Sequence, residues 1–210
     1  IDIGSPCGQA RIASPLLGEF NLYNLLAVLG TLLLADMPLA DAIEKLHALA
    51  PVPGRMQTLR RPGDPLAVID YAHNPPALES VLTALRAHVP AGGRLWCVFG
   101  CGGERDAAKR PVMGELAARL ADRVVVTDDN PRGEDPAAIA AATLAGVPQS
   151  DGVELIHDRA AAIGHAIASA DVRDVVLIAG KGAERFQIVG AERRPFSDFD
   201  CAQDALKGRL

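Results

Sequence analysis

The chain has 210 residues, 21 Lys+Arg against 26 Asp+Glu for a formal net charge of −5, and a hydrophobic share of 49%. That length supports a packed core without disulfide staples, and that apolar share excludes a mainly disordered polypeptide. The acidic balance gives no overall attraction to nucleic acid, and the longest apolar stretch, Leu25 to Ala35, is too short for membrane insertion as a spanning helix.

After a loop-like opening, Gly18 to Asn24 leads into an apolar helical run over Leu25–Leu34, and an amphipathic helix follows over Leu39–Leu49. Pro51-Val52-Pro53-Gly54 then reads as a rigid linker. Beyond it strand and helix alternate. Strands are predicted at Leu66–Asp70, Arg94–Phe99, Arg123–Thr127, Val153–His157 and Asp174–Ala179, with helices at Pro76–His88, Arg110–Leu120, Pro136–Leu144 and Ala160–Ala168. The alternation predicts an α/β fold with a mostly parallel sheet and helices on both faces. Phe186–Val189 and Arg194–Phe196 read as a hairpin, and a closing helix begins at Cys201.

Ligands of such sheets sit beyond the carboxyl ends of the strands. The chemically unusual residues fall there: Asp70 to Pro75, Gly100 to Asp106, Asp128 to Arg132, and Gly180 to Glu184, with only His157-Asp158-Arg159 after the fourth strand. Gly100, Gly102 and Gly103 either bring backbone amides to an anion at a helix N-terminus or make a plain tight turn. Their spacing is not the dinucleotide fingerprint, and no acid ends the second strand. Lys109-Arg110-Pro111 sets two cations beside that turn, with Pro111 suited to the first turn of a helix; a solvated arginine is the plain alternative.

Asp129-Asn130-Pro131-Arg132 matches a zwitterion, with Arg taking a carboxylate and Asp or Asn an ammonium. The same string also makes an Asx-turn. Gly180-Lys181-Gly182 lacks the spacer and following Ser/Thr of a P-loop, so no segment shows a triphosphate cradle. His73 directly follows a strand and is a loop histidine, whereas His47, His88 and His165 fall on helices with no acid or cysteine placed to orient them. Four cysteines without a pairing rhythm point to a reducing cytoplasm. Cys97 and Cys101 have the spacing of a metal half-site, but no second pair follows, so no metal site is expected.

With Gly18-Glu19-Phe20-Asn21-x-x-Asn24, Gly54-Arg55, Asp70-Tyr71-Ala72-His73-Asn74-Pro75, Gly100-Cys101-Gly102-Gly103-Glu104-Arg105-Asp106 through Lys109-Arg110-Pro111, and Asp129-Asn130-Pro131-Arg132 in this order, the chain resembles the Mur ligases over essentially its whole length. Within them it is most similar to the branch that adds diaminopimelate. The resemblance implies that residues 1–53 are the tail of a central ATP-binding domain and residues 54–210 a Rossmann-like C-terminal ligase domain. It implies a cytoplasmic, magnesium-dependent reaction of peptidoglycan precursor synthesis: ATP phosphorylates the carboxylate of a UDP-N-acetylmuramoyl-dipeptide, and the amine of meso-diaminopimelate displaces phosphate. Nucleotide contacts are implied at Asn21 and Asn24 for the base, Arg55 for phosphate, Asp70 for the ribose, and His73 beside it. Substrate contacts are implied at Arg110, Asp129, Asn130, Arg132, Gly180 and Glu184.

Where the family usually reads Gly-Lys-Gly-His-Glu, this chain has Ala183 in place of the histidine. The family's P-loop, magnesium-binding acids and modified lysine have no counterpart in the sequence, which reads as the back part of a longer protein. Diaminopimelate-dependent phosphate release by residues 1–210 alone should therefore be undetectable, and a measurable rate would contradict this expectation. Two rival readings are a folylpolyglutamate synthase-like ligase, against which Asp129 to Arg132 argue, and a non-catalytic binding module.

Overall fold

Capping residues and apolar spacing set many of the element boundaries in the computed structural model, which describes residues 2–14, 16–148 and 152–209. The chain divides into two units, one ending at Val52 and one beginning at Pro53. In the first unit the opening segment is an antiparallel hairpin of β1 (Asp2–Ser5) and β2 (Gly8–Arg11), where a loop is expected from the sequence. Strands this short and mostly exposed carry little alternation to read. Helix α1 (Glu19–Leu34) starts six residues earlier than its apolar run, and α2 spans Leu39–His47. Ile12, Leu25, Leu29, Ala42 and Leu46 form the core of this unit.

The second unit is built on one sheet. Its strands are β3 (Gln57–Leu59), β4 (Leu66–Asp70), β5 (Leu95–Phe99), β6 (Arg123–Val126), β7 (Val153–Leu155) and β8 (Val175–Ala179), in the spatial order β3-β4-β8-β5-β6-β7. All neighbours are parallel except β3, which runs antiparallel to β4 along the sheet edge. The predicted parallel strands are all present; β3 follows the linker too closely and is too short to stand out. Helices α3 (Pro75–Arg86), α4 (Lys109–Leu120), α5 (Pro136–Leu144) and α6 (Arg159–Ser169) alternate with the strands. A hairpin of β9 (Phe186–Val189) and β10 (Glu192–Pro195) precedes α7 (Asp198–Lys207). The last helix therefore begins three residues before Cys201, at a serine cap.

Short polar side chains start four of these helices. Asn74, Asp135, Asp158 and Ser197 accept from the backbone N–H of Ala77, Ala137, Ala161 and Asp200, satisfying donors that a helix N-terminus otherwise leaves unpaired. Strand residues of opposite parity face opposite helix layers. Ala67, Ile69, Trp96, Val98, Val125, Val176 and Ile178 pack on Ala162, Ile163, Ala166 and Ile167 of α6 and on Ala202 and Leu206 of α7. Helices α3, α4 and α5 pack on one another in sequence and against β5, β6 and β8.

The register sets Asp70 beside Ala179 and Phe99 beside Val126, so the loops leaving β4, β8, β5 and β6 emerge along one edge. At the opposite edge Asp174 accepts from Arg94 N–H, Asp171 N–H and the Trp96 indole, locking the strand starts together.

Candidate functional site

A cavity of about 410 Å³ opens over the carboxyl ends of the strands. It is lined by Tyr71 and His73 after β4, Gly100 and Gly102 after β5, Asp129, Asn130 and Arg132 after β6, and Gly180 and Glu184 after β8, with Lys109 from α4 at its side. A second cavity of about 380 Å³ shares Tyr71 and Glu184 with it and adds Gly54, Arg55, Lys181 and Ala183.

Each loop is held from behind. The segment Asp129 to Arg132 lies against β9: Arg132 N–H donates to Ile188 O at 3.1 Å, Gly190 N–H to Arg132 O at 2.7 Å, and the Gln187 amide to Asp129 O at 2.8 Å. Arg132 has φ +54, a left-handed conformation rare outside glycine, which the β9 bridge maintains. Its Nη1 donates to Gly103 O at 2.7 Å and more weakly to Asn130 O at 3.3 Å. Asn130 is buried and bonded at both ends of its amide: Oδ1 accepts from Lys181 Nζ at 2.8 Å and Ile188 N–H at 2.9 Å, while Nδ2 donates to Glu184 Oε2 at 3.1 Å. After β4, the ring of His73 stacks at a tilt 4.6 Å from that of Tyr71, its Nδ1 lies 2.8 Å from Tyr71 O, and Lys109 Nζ donates to His73 O at 2.6 Å.

At Gly180 and Gly54 close approach and a positive φ both require glycine. Gly180 has φ +120, and a Cβ there would lie 2.9 Å from Asp129 Oδ2. Gly54 has φ +68, and its Cβ would lie 2.1 Å from Ala183 N, so the segment carrying Arg55 touches the loop after β8. The guanidinium of Arg55 sits 4.7 Å from the Tyr71 ring centroid, a cation–π contact at the second cavity.

The remaining residues singled out in the sequence are placed differently. Arg110 is 5% exposed and does not line the cavity; Nη2 forms an ion pair with Glu134 at 2.8 Å and also reaches Gly102 O at 3.4 Å. Glu134 is held below the usual carboxylate range by the Glu104 N–H, then by Arg110. Asp70 spends Oδ2 on Met56 N–H and Oδ1 on Ala72 N–H. Burial pushes its carboxyl upward, opposed by those two bonds and the Arg55 charge. Asn21 and Asn24 share one face of α1, with Asn24 Nδ2 donating to Asn21 Oδ1 at 3.1 Å and Asn21 Nδ2 to Leu17 O. Cys97 lies within β5, where burial raises its thiol to about 12, and Cys101 Sγ meets Met113 Sδ, so neither is poised as a metal thiolate.

Two buried charges escaped the sequence reading as site elements. Lys181 is fully buried between Asn130 and Glu184; its signal was lysine scarcity, with four in the chain. Arg159, also fully buried, pairs with Asp198 through Nε–Oδ1 at 2.7 Å and Nη2–Oδ2 at 2.8 Å, and donates to Ala179 O at the end of β8. Burial alone would lower its pKa; the charge and bonds of Asp198 outweigh that and raise it. No local pattern announces a pair formed between α6 and α7.

Comparison with known proteins gives this edge a lineage. Residues 54–182 match the family described as Mur ligase, glutamate ligase domain. The UDP-N-acetylmuramoyl-L-alanyl-D-glutamate–2,6-diaminopimelate ligase of Pseudomonas aeruginosa is 54% identical over 202 residues, covering 96% of this chain and 41% of that protein. A solved structure of a ligase of the same name superposes with a TM-score of 0.75 at 41% identity, over 99% of this chain and 42% of the other. Folylpolyglutamate synthase from Thermotoga maritima superposes at 0.66 with 24% identity over 85% of this chain and 40% of that one, a likeness of fold alone. The chain thus spans about two fifths of the relatives it matches. With more than half its length under the family's own pattern and that pattern's loops gathered at one sheet edge, the chain belongs to the Mur ligase family.

Proposed function

We propose that this chain is the acceptor-binding part of an ATP-dependent ligase that joins meso-diaminopimelate to UDP-N-acetylmuramoyl-L-alanyl-D-glutamate in the cytoplasm, a step of peptidoglycan precursor synthesis. The observation that carries the reading is the convergence of Arg132, Asp129 and Glu184 on one cavity. Diaminopimelate has two amino-acid ends. One must be clamped as a zwitterion while the amine of the other stays free to attack an acyl phosphate. Arg132 suits the carboxylate of the clamped end through a planar two-pronged bond, and Asp129 and Glu184 suit its ammonium.

The second cavity fits a phosphate-bearing partner: Arg55 supplies a cation there, held over Tyr71. On this reading residues 1–53 are the tail of the ATP-binding domain, and Asn21, Asn24, Asp70 and His73 serve the nucleotide. Arg110 supports the acceptor site through the glycine loop, by its bond to Gly102 O, and Gly180 leaves room for Asp129. Among the described residues no cluster of three or more His, Cys, Asp or Glu is placed to hold a metal ion, so no step is assigned to magnesium on these residues.

Calorimetric titration of the chain with diaminopimelate, lysine and glutamate tests the proposal. Diaminopimelate should bind most tightly; a preference for glutamate would favour the folylpolyglutamate synthase-like alternative. A further expectation concerns Asp70, which fixes the N–H of Met56 next to Arg55. In the intact enzyme Asp70→Ala should raise the apparent ATP requirement and lower stability, at roughly 1–3 kcal/mol for each of the two buried N–H groups that lose their acceptor. Unchanged ATP dependence would remove Asp70 from the nucleotide site.

A further inference from the structure

Lys181 is the only lysine among the described residues with no exposed surface, and it has no place in the clamp derived above. Its ammonium donates to Asn130 Oδ1 at 2.8 Å and to Glu184 Oε2 at 3.1 Å, and the Asn130 amide closes the triangle by donating to the same Oε2 at 3.1 Å. Asn130 has no freedom to flip: its oxygen already faces two donors, Lys181 Nζ and Ile188 N–H. Both bonds to Glu184 end on Oε2, so Oε1 keeps its lone pairs for a ligand in the cavity that Glu184 lines.

We infer that Lys181 is a positioning residue, which together with Asn130 holds Glu184 in the geometry that receives the ammonium of an amino-acid ligand before that ligand arrives. The inference rests on the acceptor-site reading above and adds the device that prearranges it. A glutamate on a loop otherwise loses side-chain entropy on meeting its ligand, and a fixed partner removes that cost in advance. The cation has a second effect. Glu184 and Asp129 both line the cavity, and a buried positive charge on the far oxygen of Glu184 offsets their mutual repulsion while no ligand is present. Arginine is a poor substitute, because its planar fork does not reproduce the compact ammonium that meets Asn130 Oδ1 and Glu184 Oε2 together.

The test is a double-mutant cycle on diaminopimelate affinity with the 210-residue chain, using Lys181→Met, Glu184→Gln and their combination, with thermal unfolding recorded for each. Lys181→Met is expected to weaken binding 30-fold or more in the unaltered background and less than 3-fold in the Glu184→Gln background, because the lysine acts through the glutamate. Full multiplication of the two effects, or unaltered affinity in Lys181→Met, overturns the inference. Failure of the unaltered chain to bind diaminopimelate overturns the acceptor-site reading itself and leaves a second measurement to decide the positioning role. That measurement, which also serves if Lys181→Met does not fold, is hydrogen exchange of the Asn130 side-chain amide in the unliganded chain. Slow exchange is expected from an amide already bonded to Glu184, and exchange at the rate of a free amide overturns the positioning role.

Discussion

On the acceptor reading proposed above, Arg132→Ala in the intact enzyme should abolish most of the preference for diaminopimelate over lysine, by crippling the better substrate and not by improving the poorer one. Lysine lacks only the distal carboxylate. When it enters, the Arg132 guanidinium faces the cavity without an anion, and removing one partner of a desolvated charge pair costs roughly 2–5 kcal/mol. At about 1.4 kcal/mol per decade that is on the order of 30- to several-thousand-fold in relative efficiency. A site built around a group that must be paired rejects the analogue lacking its partner. Arg132→Lys should rescue poorly, because an ammonium does not reproduce the two-pronged bond and the bond to Gly103 O would also be lost. The measurement is the ratio of kcat/KM for the two amino acids. A ratio unaltered by Arg132→Ala would move selectivity to Glu184 and its neighbours.

Asp198→Ala should be strongly destabilising, although Asp198 lines neither cavity. Arg159 and Asp198 are both fully buried, and the truncation leaves a guanidinium in the core without its paired carboxylate. Breaking such a pair costs about 3–5 kcal/mol. For a unit of this size that corresponds to a fall in Tm of roughly 6–20 °C, at about 2–4 °C per kcal/mol. The double variant Arg159→Met with Asp198→Leu should recover much of the loss, since similar volumes of apolar side chain remove both desolvation penalties. Thermal unfolding of the single and double variants decides the point: equal losses in both would mean that packing at this position, not charge, carries the stability.

These two arginines show what a single sequence exposes. Arg132 is legible because its neighbours Asp129 and Asn130 supply complementary chemistry within four residues, at the end of a β-branched strand. Arg159 is not, because Asp198 lies on another helix and its local context is an alanine-rich segment behind an aspartate cap. Arg110 is an intermediate case. Beside a glycine loop it reads as a cavity cation, yet Glu134, outside the motif, takes its guanidinium. The parallel strands announced themselves through apolar runs and turn residues, with β4 reproduced to the residue. The hairpin of β1 and β2 and the edge strand β3 did not, since three- or four-residue strands with half-exposed faces lack the repeats that periodicity needs. Nor could the sequence reveal that β9 braces the loop after β6, a contact between segments more than fifty positions apart.

The strand order has a consequence for how the chain acquires its structure. β8 lies between β4 and β5, yet it is the last of the parallel strands to be made. Strands β4 and β5 never touch as ladder partners, so each keeps an open edge until Val175–Ala179 arrives between them. Non-local closure of this kind is slow, and unpaired strand edges are where partly folded chains associate. Pairing of β8 is therefore what joins β3 and β4 to β5, β6 and β7 in one sheet. The same strand carries Gly180, Lys181 and Glu184 to the two cavities, so the element that closes the sheet also completes their lining.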